Sequence, residues 1–355
     1  MKVTRVEHWT ESLDLTRPYR IAGHTISHVN NHFVRIEAAN GICGYGAASP
    51  AKDVTGESMA DCEGAAQQYL ETRIAGHDLR CLPALLHDLQ RMPIYRPAAL
   101  AAVDMALYDL SGKLLNIPLA SFLGRRQQSL ATSITIGIQS VDGALAEAEE
   151  YIGQGFHILK VKIGDSFEQD VDLLKQLRRK VGPGINIRVD ANQGYTFDEL
   201  LDFIHQTKDL NLELIEQPLS TSADDQMQGL SDAVRSICAA DESLCTPADA
   251  MTLACAPQPF GIYNIKLMKC GGISPALDMI RMAEAAHIDL MWGCNDESRV
   301  SIAAALHAAL STSATKYLDL DGSFDLGRDR FKGGFVLENG ALRPNDQPGL
   351  GVTLL

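Results

Sequence analysis

The chain has 355 residues, 46% of them hydrophobic and 21% charged, with a formal net charge of −14. That length exceeds one small domain and suits a barrel with a second domain attached. The acidic balance argues against nucleic acid or an anionic membrane as the main partner, since both need a basic face. No stretch approaches the roughly 18 apolar residues of a membrane span.

Residues 1–125 read as an α+β domain. MKVTRVEHWTESLDLT and HVNNHFVRIEAANGICGYGAASP carry the pattern of antiparallel strands joined by turns. The N-terminus has no apolar signal-peptide core. PAALAAVDMALYDLSGKLL (97–115) predicts an amphipathic helix, which Pro118 keeps from continuing. From 126 to 325 the chain alternates. Eight β-rich runs, SITIGI, HILKVKI, INIRVDA, LELIEQP, SICAADE, YNIKLMK, DLMWGC and YLDLDG, are separated by seven segments with helical apolar spacing. Strands alternating with helices at this pitch imply parallel pairing, and eight strands are what a closed barrel requires. With only seven helices, the last βα unit is expected to be atypical. The tail 326–355 carries an Asn-Gly turn between short strands and is expected to pack back on the first domain. Eight scattered cysteines without a C-x-x-C pair read as reduced, buried thiols of a cytoplasmic protein. Gly41-x-x-Gly44-x-Gly46 and Gly271-Gly272 lack a full phosphate-loop fingerprint, so no nucleotide site is expected.

Active sites of such barrels lie at the C-terminal ends of the strands. Asp190 ends the third run, Glu216 ends the fourth and Asp241 follows the fifth, at separations of 26 and 25 residues, the length of one βα repeat. A lone acid there is most often a helix cap or a solvated loop residue. Three in register converge, and three convergent carboxylates need a cation, which points to an oxygen-ligand site for Mg²⁺. Lys160 and Lys162 alternate on one inward face of the second run, and Lys266 lies on the sixth. Asp319 and Asp321 share a face of the eighth. Lys269 reads as structural.

Lys162 and Lys266 are expected to oppose each other across the barrel with the metal between. Two opposed bases suit removal of a proton α to a carboxylate and its return to the other face. General acid–base catalysis supplies only about 10²–10⁴-fold, so the metal and Lys160 are expected to hold the enediolate. Neighbouring cations are expected to lower the lysine pKa values.

Lys160-Val161-Lys162, Val189-Asp190-Ala191-Asn192, Glu216-Gln217-Pro218, Asp241-Glu242-Ser243 and Asn264-Ile265-Lys266-Leu267-Met268-Lys269 resemble the muconate lactonizing enzyme subgroup of the enolase superfamily, over nearly the whole chain. The resemblance implies a modified (β/α)7β TIM barrel whose mouth is capped by the N-terminal α+β domain. Asp319-Leu320-Asp321-Gly322 resembles the D-x-D motif with which dipeptide epimerases of this subgroup hold the substrate α-ammonium. It implies that Thr135 lies near the substrate carboxylate and that the seventh-strand end, with Cys294 and Asp296, contacts the substrate. His24 matches the position where Ala-Glu epimerases carry an arginine for the glutamate side chain, so the chain is not expected to be Glu-specific. Asp296 favours a cationic or polar substrate side chain. The expected activity is Mg²⁺-dependent epimerisation of the C-terminal residue of an L-Xaa dipeptide by a homo-oligomer. The alternatives are a cycloisomerase, an o-succinylbenzoate synthase, an N-acyl amino acid racemase, a proline-derivative epimerase or dehydratase, and a non-catalytic relative.

Overall fold

Eight parallel strands form the larger sheet: Ile134–Ile136, Ile158–Lys162, Asn186–Asp190, Leu212–Glu216, Cys238–Ala240, Ile262–Ile265, Asp289–Trp292 and Thr315–Leu318, here barrel strands one to eight. Each pairs with the next in chain order. The ring closes where Thr132 bridges Leu318 and the Ser133 N–H donates to the Leu318 carbonyl at 2.9 Å. The computed structural model describes residues 1–21, 24–67, 71–92 and 95–355, with the side chains of 19–21, 24, 25 and 71 outside the description. Among the described residues no helix is long and apolar enough to cross a membrane.

The crossovers follow from local chemistry. Phe167–Val181 buries Val171, Leu174 and Leu177 on one face. It carries Glu168 and Asp170 in its first turn and Arg178, Arg179 and Lys180 in its last, which complements the helix dipole. Phe197–Thr207 starts at a capping box, Thr196 with Glu199, and Pro247–Leu253 at another, Thr246 with Asp249. The irregular crossover is the one between strands four and five. There a 3₁₀ segment, Thr221–Gly229, and one turn, Asp232–Arg235, replace a full helix. After strand eight the chain leaves the ring without a helix.

Alternation along each strand sorts the interior. Leu159 and Val161 are fully buried in the large core under the helices. Leu214, Ala239, Ile262 and Met291, with Tyr317 against them, form a separate small cluster inside the ring. One inward position further along lie Lys160, Glu216, Asn264 and Asp319. The polar layer therefore rests on an apolar plug, which keeps water from entering from below.

The N-terminal sheet pairs Val3–Ile21, His24–Ala38 and Cys43–Ala48 antiparallel. The helix Pro97–Leu115 lies on the third strand. A Cβ at Gly44 would strike the Ala106 carbonyl and one at Gly46 the Ala102 carbonyl, so these glycines permit close helix–sheet approach and cradle no phosphate. The tail returns to this helix. Asp109, fully buried, accepts from the Leu350 N–H at 2.7 Å and the Tyr45 N–H at 2.9 Å.

The same helix reaches the barrel through Asp104. Its carboxylate accepts from the Ile273 N–H at 2.6 Å and the Ser274 hydroxyl at 2.5 Å, capping the helix Ile273–Ala286 that follows strand six. Asp104→Ala leaves those groups unpaired and is expected to cost about 2 kcal/mol of stability in urea titration, with Asp104→Asn costing less. An Ala variant within about 0.5 kcal/mol of wild type contradicts the role.

Candidate active site

Four lysines and four carboxylates interlock at the C-terminal mouth of the barrel. Lys160 Nζ, essentially buried, donates to Asp319 Oδ2 at 2.8 Å and lies 3.0 Å from Asp190 Oδ2 and 2.7 Å from Glu216 Oε2. Lys162 Nζ donates to Asp190 Oδ2 at 2.7 Å and to Asn192 Oδ1 at 2.9 Å. Lys266 Nζ donates to Asp241 Oδ2 at 2.7 Å, and Lys269 Nζ donates to the same carboxylate through Oδ1. Parallel registers bring this about: Lys162 sits beside Asp190 and Asp190 beside Glu216 on neighbouring strands. Strand six stops at Ile265, so Lys266 is the extended residue before a helical turn, Leu267–Cys270, that swings Lys269 back under Asp241.

Lys160 and Lys266 are held in the ammonium form by the carboxylates around them. Burial pulls the Lys266 ammonium down, but Asp241 and Glu216 outweigh it and hold its pKa raised. Lys160 is likewise raised, burial being overcome by Asp190, Asp319 and Glu216. The nearest charges to these lysines are carboxylates, so the ammonium form is favoured. Among the carboxylates, burial pushes Glu216 up to about 8, with Asp190 adding to it. Asp190 is lowered to about 2, because Lys160 and Lys162 overcome its burial. Asp241 is held well below the usual range, its burial outweighed by Lys266 and Lys269.

Asp190, Glu216 and Asp241 are brought together at adjacent strand ends. As they stand, no three acidic, His or Cys side chains among the described residues share a ligand-distance centre. Lys160 Nζ lies between Asp190 and Glu216. The donor chemistry nevertheless fits a hard divalent cation. All the candidate atoms are carboxylate oxygens, and one of them, Glu216 Oε2, is buried without a hydrogen-bond donor. The 2.7 Å approach of Lys160 to Glu216 Oε2 is an ion pair whose angle lies outside hydrogen-bond geometry, so that oxygen still lacks a donor.

Asp319 and Asp321 lie just beyond strand eight, which ends at Leu318. Asp319 divides its oxygens between Lys160 and the Ser133 hydroxyl, the latter at 2.6 Å. Asp321 Oδ2 accepts from the Thr135 N–H at 2.8 Å. Burial, with Asp319 beside it, pushes Asp321 up to about 7. Cys294 Sγ donates to the Asp319 carbonyl at 3.3 Å, so it supports this pair. Asp296 follows on the same half-exposed loop. The side chain of His24 lies outside the described residues.

Several site residues escape sequence reasoning. Gln217, at φ 33°, accepts from the Asp241 N–H at 3.0 Å and the Ser243 N–H at 3.2 Å, orienting the acid of the next strand. A strained backbone at a strand end was the available signal. Asn264 Nδ2 donates to Glu216 Oε1 at 2.8 Å. Lys269, read as structural, grips Asp241 directly. Gly293 has a steric reason: a Cβ there would lie 2.6 Å from Asn264 Oδ1 and 3.0 Å from Lys266 Cε. Gly293→Ala is expected to push the Lys266 ammonium off Asp241, lengthening their 2.7 Å contact in a crystal structure of the variant. An unmoved contact contradicts this.

The chain is similar to known proteins over nearly its whole length. The chain matches the mandelate racemase / muconate lactonizing enzyme N-terminal domain over residues 3–124 and the enolase C-terminal domain-like family over 143–355. It is 53% identical to an L-Lys-D/L-Arg epimerase of Desulforapulum autotrophicum, across 99% of each chain. It is 35% identical to an L-Ala-D/L-Glu epimerase of Bacillus subtilis, across 99% of this chain and 97% of the other. The dipeptide epimerase from Methylococcus capsulatus, solved with Mg and the dipeptide L-Arg-D-Lys, superposes with a TM-score of 0.96 at 50% identity, covering 99% of this chain and 100% of that one. With both domains matched, this chain belongs to the mandelate racemase / muconate lactonizing enzyme family of the enolase superfamily.

Proposed function

We propose that this protein is a Mg²⁺-dependent dipeptide epimerase that inverts the α-carbon of the C-terminal residue, and that its preferred dipeptides carry Lys or Arg. The observation that carries the reading is the placement of Lys162 and Lys266. Strands two and six are four places apart in a ring of eight, so the two side chains approach the mouth from opposite sides. One neutral lysine takes the α-proton from one face, and the opposite ammonium delivers a proton to the other, which inverts the centre. Lys160, fixed between Asp190, Glu216 and Asp319, supplies a preorganised positive charge for the substrate carboxylate as its electron density rises. Mg²⁺, when held by Asp190, Glu216 and Asp241, adds Lewis-acid charge there and weakens the hold of those carboxylates on the lysines.

The other end of the dipeptide is assigned to Asp321 and Asp319. The Thr135 N–H orients Asp321, and because Asp319 already serves Lys160 and Ser133, Asp321 carries most of the contact to the α-ammonium. Asp296 is assigned to the cationic side chain. The D. autotrophicum relative, named for Lys and Arg, and the L-Arg-D-Lys dipeptide of the M. capsulatus structure support that choice. Eight free thiols support a reducing, cytoplasmic setting.

Incubating pooled dipeptides with the protein and Mg²⁺ in D₂O, with mass-spectrometric readout, tests reaction and specificity together. One deuterium is expected in the C-terminal residue of Lys- and Arg-containing dipeptides. Uptake by N-acyl amino acids with none by dipeptides would reject the reading. Chelation should abolish exchange and Mg²⁺ restore it; exchange that survives complete metal removal contradicts the role given to the three carboxylates. Asp296→Asn is expected to raise KM for cationic dipeptides roughly tenfold, the loss of one charge-assisted contact. A larger effect on apolar dipeptides contradicts the assignment.

A further inference from the structure

We infer that Asn31 and Ser49, two side chains of the N-terminal domain, are positioning residues that set the place of Asp296 and through it the cationic preference; this rests on the dipeptide reading above. The register of the sheet sets them side by side. His32 pairs with Ala48, so one step further Asn31 stands opposite Ser49, and paired residues project from the same face. Both are buried, Asn31 completely.

The recorded side-chain hydrogen bonds of this pair all go to one barrel loop. Asn31 Oδ1 accepts from the Ser298 N–H at 2.9 Å, and its Nδ2 donates to the Asp296 carbonyl at 3.4 Å. The Ser49 hydroxyl donates to the same carbonyl at 2.8 Å. In return Asn295 Nδ2 donates to the Ser49 carbonyl at 3.1 Å. Four hydrogen bonds thus cross from one domain to residues 295–298, the loop between strand seven and the helix Arg299–Ala309. The barrel and the tail also hold the loop. The Glu297 N–H donates to the Gly322 carbonyl at 3.0 Å, and the Ser298 hydroxyl donates to Asp329 Oδ1 at 2.9 Å.

The placement matters because a loop residue lacks the rigidity of a strand end, and a binding group needs a locked support to act at a fixed distance. Lys266 and Asp241 are held by the barrel itself. Asp296 takes its main-chain anchor from the opposite domain. A completely buried Asn is costly unless its groups are paired, and here both ends of the amide are used on the loop. The N-terminal domain thereby influences the substrate side chain through Asp296.

The test uses the whole chain with Mg²⁺ and three variants of different severity. Asn31→Asp keeps the shape and the acceptor for the Ser298 N–H but removes the donor to the Asp296 carbonyl. Ser49→Ala removes the other donor, and Ser49→Thr retains it. Hydrogen exchange at the amides of 295–298 is expected to accelerate in Asn31→Asp and Ser49→Ala and to stay near wild type in Ser49→Thr. The kcat/KM ratio of L-Lys-L-Arg over L-Ala-L-Ala is expected to fall about tenfold in the first two, through KM, as for loss of roughly one hydrogen bond. In an Asp296→Asn background the same changes should no longer move that ratio. An equal loss on both dipeptides, or a ratio unchanged in a folded Ser49→Ala protein, overturns the inference; Ser49→Ala and Ser49→Thr decide it if Asn31→Asp does not fold. Wild-type protein inert towards every dipeptide rejects the functional reading instead, and loop exchange unaltered in Ser49→Ala then rejects the clamp on its own terms.

Discussion

Asp190, Glu216, Asp241 and Asp319 are buried together at the barrel mouth, and only the lysines among them make that tolerable. An unpaired carboxylate in such a place costs several kcal/mol, and removing one partner of a buried pair typically costs about 3–5 kcal/mol. Each acid here has at least one ammonium within hydrogen-bond or ion-pair distance. The arrangement is expensive for a scaffold and useful for a catalyst. In the proposed reaction it would place positive charge where a carboxylate substrate gains electron density, and it leaves Glu216 Oε2 without a hydrogen-bond donor.

That charge network sits in a frame held from three directions. The apolar plug of Leu214, Ala239, Ile262 and Met291 closes the ring beneath it. Asp104 caps the helix after strand six, so the turn bearing Lys266 and Lys269 is anchored to the N-terminal domain. The tail returns to Asp109 of the same helix, and Asp329 caps the helix after strand seven through the Arg299 N–H at 2.6 Å. The N-terminal domain, barrel and tail therefore share buried polar contacts as well as one apolar core.

The periodic parts of this design were legible in the sequence. A βα repeat fixes the separation of Asp190, Glu216 and Asp241, and strand alternation turns Lys160 and Lys162 inward, so spacing alone located them. What spacing does not encode is contact between loops. Gln217 reaching Asp241, Asn264 reaching Glu216 and Lys269 curling under Asp241 depend on where strands stop, and strand six stops at Ile265, four residues before the end of the run read from sequence. Registers between strands likewise give Lys160 and Lys266 carboxylates as neighbours, which holds both in the ammonium form. The Ser133 hydroxyl that shares Asp319 lies 186 residues away along the chain, beyond the reach of any spacing argument.

The central claim is that Lys162 and Lys266 serve opposite faces of one carbon. It is tested most directly by following solvent deuterium into each epimer of a single Lys- or Arg-containing dipeptide with Lys162→Ala and Lys266→Ala proteins loaded with Mg²⁺. The account predicts that neither variant epimerises, while each still exchanges the α-proton of one epimer, and that the two variants select opposite epimers. Exchange of both epimers by either variant, or the same epimer by both, would contradict it.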